Sequence, residues 1–123
     1  MNAKEVGEKL VAYARQGRHL KAIEELYSPD IVSIEAIDGE EIPAEMRGID
    51  KVRAKNEWWM ENHDVHSMTA DGPYPHRDKF AVRYSFDVTP KGGSMAGKRF
   101  EMSEIAVYTV KDGKVVHEEF YYG

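Results

Sequence analysis

At 123 residues, 41% hydrophobic and 32% charged, the chain is long enough for one globular domain with its own core and too short for two. Seventeen Lys and Arg against 22 Asp and Glu leave a net charge of −5, which excludes a nucleic-acid or anionic-membrane partner for want of cations. The absence of cysteine excludes disulfides, thiolate zinc sites and cysteine nucleophiles.

Uncharged runs such as 105–110 are far shorter than the roughly 20 apolar residues of a membrane helix. The opening Met-Asn-Ala-Lys-Glu lacks the apolar stretch of a signal peptide, so a cytoplasmic location is expected.

Asn2 and Glu5 have capping-box spacing, and the sequence predicts a helix from near Ala3 to a stop at Gly17. Val6, Leu10 and Tyr13 share its apolar face. A second, shorter helix carries Leu20, Ile23, Leu26 and Tyr27 and ends at Ser28-Pro29-Asp30, because proline cannot continue the helical ladder. The basic residues Arg15, Arg18, His19 and Lys21 between them read as a solvated corner. The β-branched run 31–37 predicts a strand, and 38–48, acidic and without period, a loop. A third helix follows from Asp50, as N-cap, to Asn62, with Val52, Asn56, Trp59 and His63 on its inner stripe.

Beyond it the period changes to two. A weak strand at 65–70 runs into turn-rich Gly72-Pro73-Tyr74-Pro75. Phe80, Val82, Tyr84, Phe86 and Val88 then alternate with Ala81, Arg83, Ser85 and Asp87, a strand with one buried face. A loop at 90–97, a strand at 98–110, a tight Asp112-Gly113 turn and a last strand at 114–122 close the chain. The pattern is α+β, three helices covering one face of a curved sheet. Ile105 and Val107 against Ala106 and Tyr108 make the strand from 101 to 109 apolar on both faces, and a homodimer partner is the simplest cover for the second one.

Three stretches carry a family resemblance: Leu26-Tyr27-Ser28-Pro29-Asp30-Ile31-Val32, Arg47-Gly48-Ile49-Asp50-Lys51-Val52-Arg53, and 108–116 with the closing Glu119-Phe120-Tyr121-Tyr122. In this order the chain resembles, over essentially its whole length, the nuclear transport factor 2-like superfamily, in its SnoaL-like and ketosteroid-isomerase-like branch. The resemblance implies a single domain, a cone of three N-terminal helices on a strongly curved mixed or antiparallel sheet, around a deep apolar pocket and usually dimeric. It does not choose among isomerases, cyclases, epoxide hydrolases, dehydratases and non-catalytic binding proteins.

The resemblance also places the general base of the ketosteroid isomerases at Glu35, counted from Tyr27; a solvent-facing glutamate on an edge strand is the other reading of that residue. Glu104 rests on its own parity. It shares a strand face with Phe100, Met102, Ala106 and Tyr108, so its carboxylate is expected among apolar side chains, paired, protonated or functional, unless a bulge turns it outward. Against this, the acid of the SnoaL-type cyclases falls at Ala106 and the isomerase tyrosine at Val11, with Tyr13 nearby, so both catalytic sets are incomplete.

Asn56 and His63 on an inner stripe need partners, either a ligand or backbone groups near the helix end. Trp58, about 100° from Trp59 around the helix, reads as packing or interface. His63, His66 and His117, with Asp64, Glu118 and Glu119, match no ligand spacing, so neither metal nor cofactor is expected. The expected site is a small-molecule pocket lined by Asn56, Trp59, His63, Tyr84, Phe86, Met102, Phe120 and Tyr13, with Glu104 and Glu35 as its polar groups and cofactor-free acid–base work as its chemistry. The opposing expectation is a structural or interaction module whose inner aromatic and Met residues fill a solid core.

Overall fold

Asn2 and Glu5 cap the first helix, α1 (Ala3–Arg15), from both sides. The Asn2 side chain accepts the Glu5 N–H at 2.9 Å and the Glu5 carboxylate accepts the Asn2 N–H at 3.1 Å. The structure, a computed structural model, describes residues 1–39 and 43–123. Val6, Leu10 and Val11 bury the inner face of α1, and Gly7 lets it approach Pro73 and Phe80. Tyr13 packs partly buried against the core, and its hydroxyl donates to Glu25 at 2.6 Å, which ties α1 to the second helix, α2 (His19–Leu26).

The chain leaves α2 directly into β1 (Tyr27–Ile34), so Ser28-Pro29-Asp30 belongs to a strand, not to a helix end. The register with its neighbour shifts between Tyr27 and Val32, and a proline is tolerated there because the ladder is interrupted. The expected loop at 38–48 contains a short strand, β2 (Glu45–Arg47), paired antiparallel with β1; residues 40–42 of that stretch lie outside the described ones. The third helix, α3 (Ile49–Glu61), is capped by Gly48, at φ +95°, instead of Asp50. Asp50 sits in the first turn, where it accepts from Arg53 at 3.0 Å and meets the positive end of the helix.

Four long strands follow: β3 (His63–His76), β4 (Lys79–Pro90), β5 (Phe100–Lys111) and β6 (Lys114–Tyr121). β3 starts earlier and ends later than its apolar pattern. It carries Pro73 and Pro75 within it, through a register shift between Asp71 and Tyr74. It can do so because it is the edge strand. Asp112 and Gly113, both at positive φ, make the β5–β6 turn.

The six strands form one mixed sheet in the order β2-β1-β6-β5-β4-β3, with β1 parallel to β6 and the other pairs antiparallel. The three helices pack on it in the α+β arrangement of a cone. Val6, Leu26, Ile31, Val52, Phe80, Val82 and Val115 form the core at its closed side. Among the described residues no helix is long and apolar enough to cross a membrane.

Candidate functional site

The inner face of the sheet and the three helices do not close on each other completely. They enclose a cavity of about 1010 Å³, open on one side and predominantly apolar. Its wall follows from strand parity. Tyr84, Phe86, Met102 and Glu104 are inward residues of β4 and β5, paired across the ladder as Tyr84 with Glu104 and Phe86 with Met102. From α3, Trp59 tilts against Phe86 at 5.4 Å between ring centres and stacks on His63 at 4.4 Å. Phe120 of β6 completes the aromatic wall. The cavity is more than three times the roughly 300 Å³ of a minimal ligand site, which counts against a solid core.

Of the residues singled out in the sequence, Asn56, Trp59, His63, Tyr84, Phe86, Met102, Phe120, Glu35 and Glu104 all line this cavity. Tyr13 does not; its bond to Glu25 turns it away. His63 is the first residue of β3, and its Nδ1 lies 2.8 Å from the Trp59 carbonyl. The Asn56 amide donates to the Val52 carbonyl at 2.8 Å. Both polar groups of the α3 stripe are therefore held by backbone acceptors. His19 also departs from expectation. Instead of standing in a solvated corner it lines the cavity, 3.3 Å from the Met68 sulfur, and burial lowers its pKa and favours the neutral ring.

The polar end of the cavity is a cluster of four charged residues from four segments. Lys55 of α3, 8% exposed, donates to Ser33 Oγ at 2.7 Å and to Glu35 Oε1 at 2.9 Å. The other oxygen of Glu35 accepts the Tyr122 hydroxyl at 3.0 Å, and burial, reinforced by the negative charge of Glu35, pushes the Tyr122 pKa up to about 12. Glu118, on β6, is 1% exposed. One of its oxygens takes the Tyr27 hydroxyl at 2.5 Å; the other, Oε1, has no hydrogen-bond partner among the described residues, and burial raises the pKa of the group. Glu104 has neither a hydrogen bond nor an ion pair among the described residues. Burial, reinforced by the charge of Glu35, raises its pKa from the ordinary 4.5 to about 7, against the pull of Lys55.

Sequence periodicity passes over Lys55 and Glu118, for different reasons. Lys55 stands three residues after Val52 on the buried stripe, so a helical count that admits charged residues would have found it. Glu118 is turned inward by a bulge. Val110 faces Val115 while Thr109 faces His117, so β6 has one residue more than β5 over that step, and the inward parity changes from Val115 to Glu118. Ala106 and Val11, where the resemblance puts the cyclase acid and the isomerase tyrosine, are 0% and 2% exposed and outside the cavity. Among the described residues no three His, Asp or Glu side chains gather as metal ligands would.

A family model described as SnoaL-like domain matches residues 1–122. A Mesorhizobium loti protein, provisionally described as a SnoaL-like polyketide cyclase and bracketed as a carbohydrate phosphatase, is 41% identical over 99% of this chain and 100% of its own, with a TM-score of 0.91. A provisionally described isomerase from Bacillus subtilis (20% identity, 100% of this chain and 90% of that one, TM-score 0.76) shares the fold. So does a provisionally described polyketide cyclase from Pseudomonas putida (17%, 100% and 92%, TM-score 0.74). No functionally curated protein matches the sequence.

Proposed function

We propose that this chain, which belongs to the SnoaL-like domain family, binds a small apolar carbonyl compound in its cavity and moves protons on it without a cofactor. The observation that carries the reading is Glu104. It is a carboxylate without a partner among the described residues, in an aromatic cavity, and its pKa of about 7 makes it both a usable base and a usable acid at neutral pH. Lys55 and Tyr122, both bonded to Glu35, are fit with it to fix the orientation of a ligand oxygen. Because Ala106 and Val11 carry no proton-transferring group and lie in the core, the reading assigns neither the cyclase nor the isomerase catalytic set to this chain. The provisional cyclase description of the Mesorhizobium loti relative supports the carbonyl class.

The test begins with native mass spectrometry of the purified protein and identification of any compound released on denaturation. With a substrate in hand, Glu104→Gln should lower turnover by at least a hundredfold, the usual yield of one general acid or base. Unchanged turnover in a folded variant would remove Glu104 from the mechanism. The same reading includes a homodimer formed through the outer face of the sheet, supported by Ile105 and its cross-strand neighbour Tyr121, exposed at 39% and 51%.

A further inference from the structure

Apolar side chains are exposed at the cavity mouth in a way the acid–base reading does not use. Trp58 (37% exposed) and Met60 (40%) at the end of α3, Val65 (44%) at the start of β3 and Met95 (43%) in the β4–β5 loop all border the same cavity. On α3, Trp58 and Met60 follow Lys55 by three and five residues, and on the sheet side the rim lies well beyond Glu104. Glu104 is four strand residues from Phe100, and Tyr84 six from Pro90, roughly 13 and 20 Å along the sheet. The cavity is thus a long apolar trough, polar at one end and extended at the other by a greasy rim.

The charges at the polar end restrict the head group. Glu35, Glu104 and Glu118 border the cavity, and Lys55 is the sole Lys or Arg among the described lining residues. Its ammonium is already engaged by Glu35 and Ser33. An incoming carboxylate would therefore meet carboxylates with no free Lys or Arg among the described lining residues, whereas a hydroxyl can accept from a protonated Glu104 or donate to an ionised one, and a ketone oxygen can accept from the protonated form.

Resting on the ligand-binding reading above, we infer that the ligand is an elongated amphiphile with an aliphatic chain running to the rim and an uncharged hydroxyl or ketone head at Glu104. The matching carboxylate is discriminated against. The groups facing Glu104 are Tyr84 from β4, Lys55 from α3, Glu118 from β6, Tyr122 after β6 and Glu35 beyond β1; burial, and after it the charge of Glu35, brings its titration near neutrality against the pull of Lys55. Discrimination against a carboxylate head is therefore strongest at pH 8, with Glu104 ionised, and weaker at pH 6.

Isothermal titration calorimetry with 1-hexanol, 1-octanol, 1-decanol, 2-decanone and decanoate tests this, with 9-fluorenone as a rigid ketone control. Each added methylene should tighten alcohol binding about fourfold, as its transfer from water does. At pH 8 decanoate should bind at least tenfold more weakly than 1-decanol, with a smaller gap at pH 6. In the double variant Met60→Ser/Met95→Ser, which changes exposed side chains, the gain from octanol to decanol should shrink while hexanol affinity stays. Decanoate binding as tightly as decanol, or affinity indifferent to chain length, would overturn the inference. Binding of 9-fluorenone alone would overturn it and leave the ligand-binding reading standing; binding of none of the six would remove both.

Discussion

Glu104 and Glu118 each bring a carboxyl into an apolar interior, and the protein manages them differently. Glu118 is held by the Tyr27 hydroxyl deep in the core, so it reads as a structural acid. Tyr27→Phe keeps the ring and removes that donor; urea unfolding should show a loss of about 1–3 kcal/mol, the cost of leaving a buried polar group without its partner. Glu104 has no such partner among the described residues and is instead linked to pH. Its folded pKa of about 7 lies above the ordinary 4.5, so below pH 4.5 it is protonated in both states. Between 4.5 and 7 only the unfolded chain gives up the proton, and folding loses stability as pH rises through that window, on the order of 3 kcal/mol in total. Glu118, also raised, acts in the same direction. Glu104→Gln should therefore unfold at higher urea than wild type at pH 8 and at a similar concentration at pH 4.5. Equal midpoints at pH 8 would show that Glu104 is not desolvated.

Among the elements, α1 depends on a close approach as much as on its apolar stripe. A Cβ placed on Gly7 would come within 2.8 Å of the Pro73 Cβ and 3.0 Å of the Phe80 ring, so this helix lies on the sheet by virtue of a missing methyl. Gly7→Ala gains up to about 1 kcal/mol of helix propensity and forfeits about 1–3 kcal/mol by overpacking. A net fall in thermal midpoint is expected, and a rise would show that α1 can move outward at little cost. α3 has a different character. Its inner stripe holds Val52, Lys55, Asn56 and Trp59, two of them polar, because it faces the cavity and its charged cluster instead of a dry core. The β6 bulge is the third device: without its extra residue, the neighbour of Glu118 would face the cavity and the Tyr27 pairing would be lost.

For the molecule as a whole, the outer sheet face sets the assembly prediction. Native mass spectrometry at micromolar concentration should give a dimer, and Ile105→Lys, at an exposed position, should give a folded monomer; a wild-type monomer would refute the sheet-face dimer. What the sequence determined alone follows from local rules. The capping box of α1, the alternation from Phe80 to Val88, the Asp112-Gly113 turn and the inward parity of Glu104 depend on residues close in the chain, and each stands in the structure. Tertiary structure decided the rest. That Ser28-Pro29-Asp30 enters a strand depends on β6, more than 80 residues later, offering an interrupted ladder. The prolines of β3 are admitted by its edge position, and the turn of Tyr13 toward Glu25 by the packing of α2 on α1. Most consequential is the charged cluster, where Glu35, Lys55, Glu104 and Glu118 come from four distant segments. Their pairing and burial, and hence their protonation, exist only when the sheet has closed around them, because desolvation and charge–charge proximity are properties of space and not of sequence spacing.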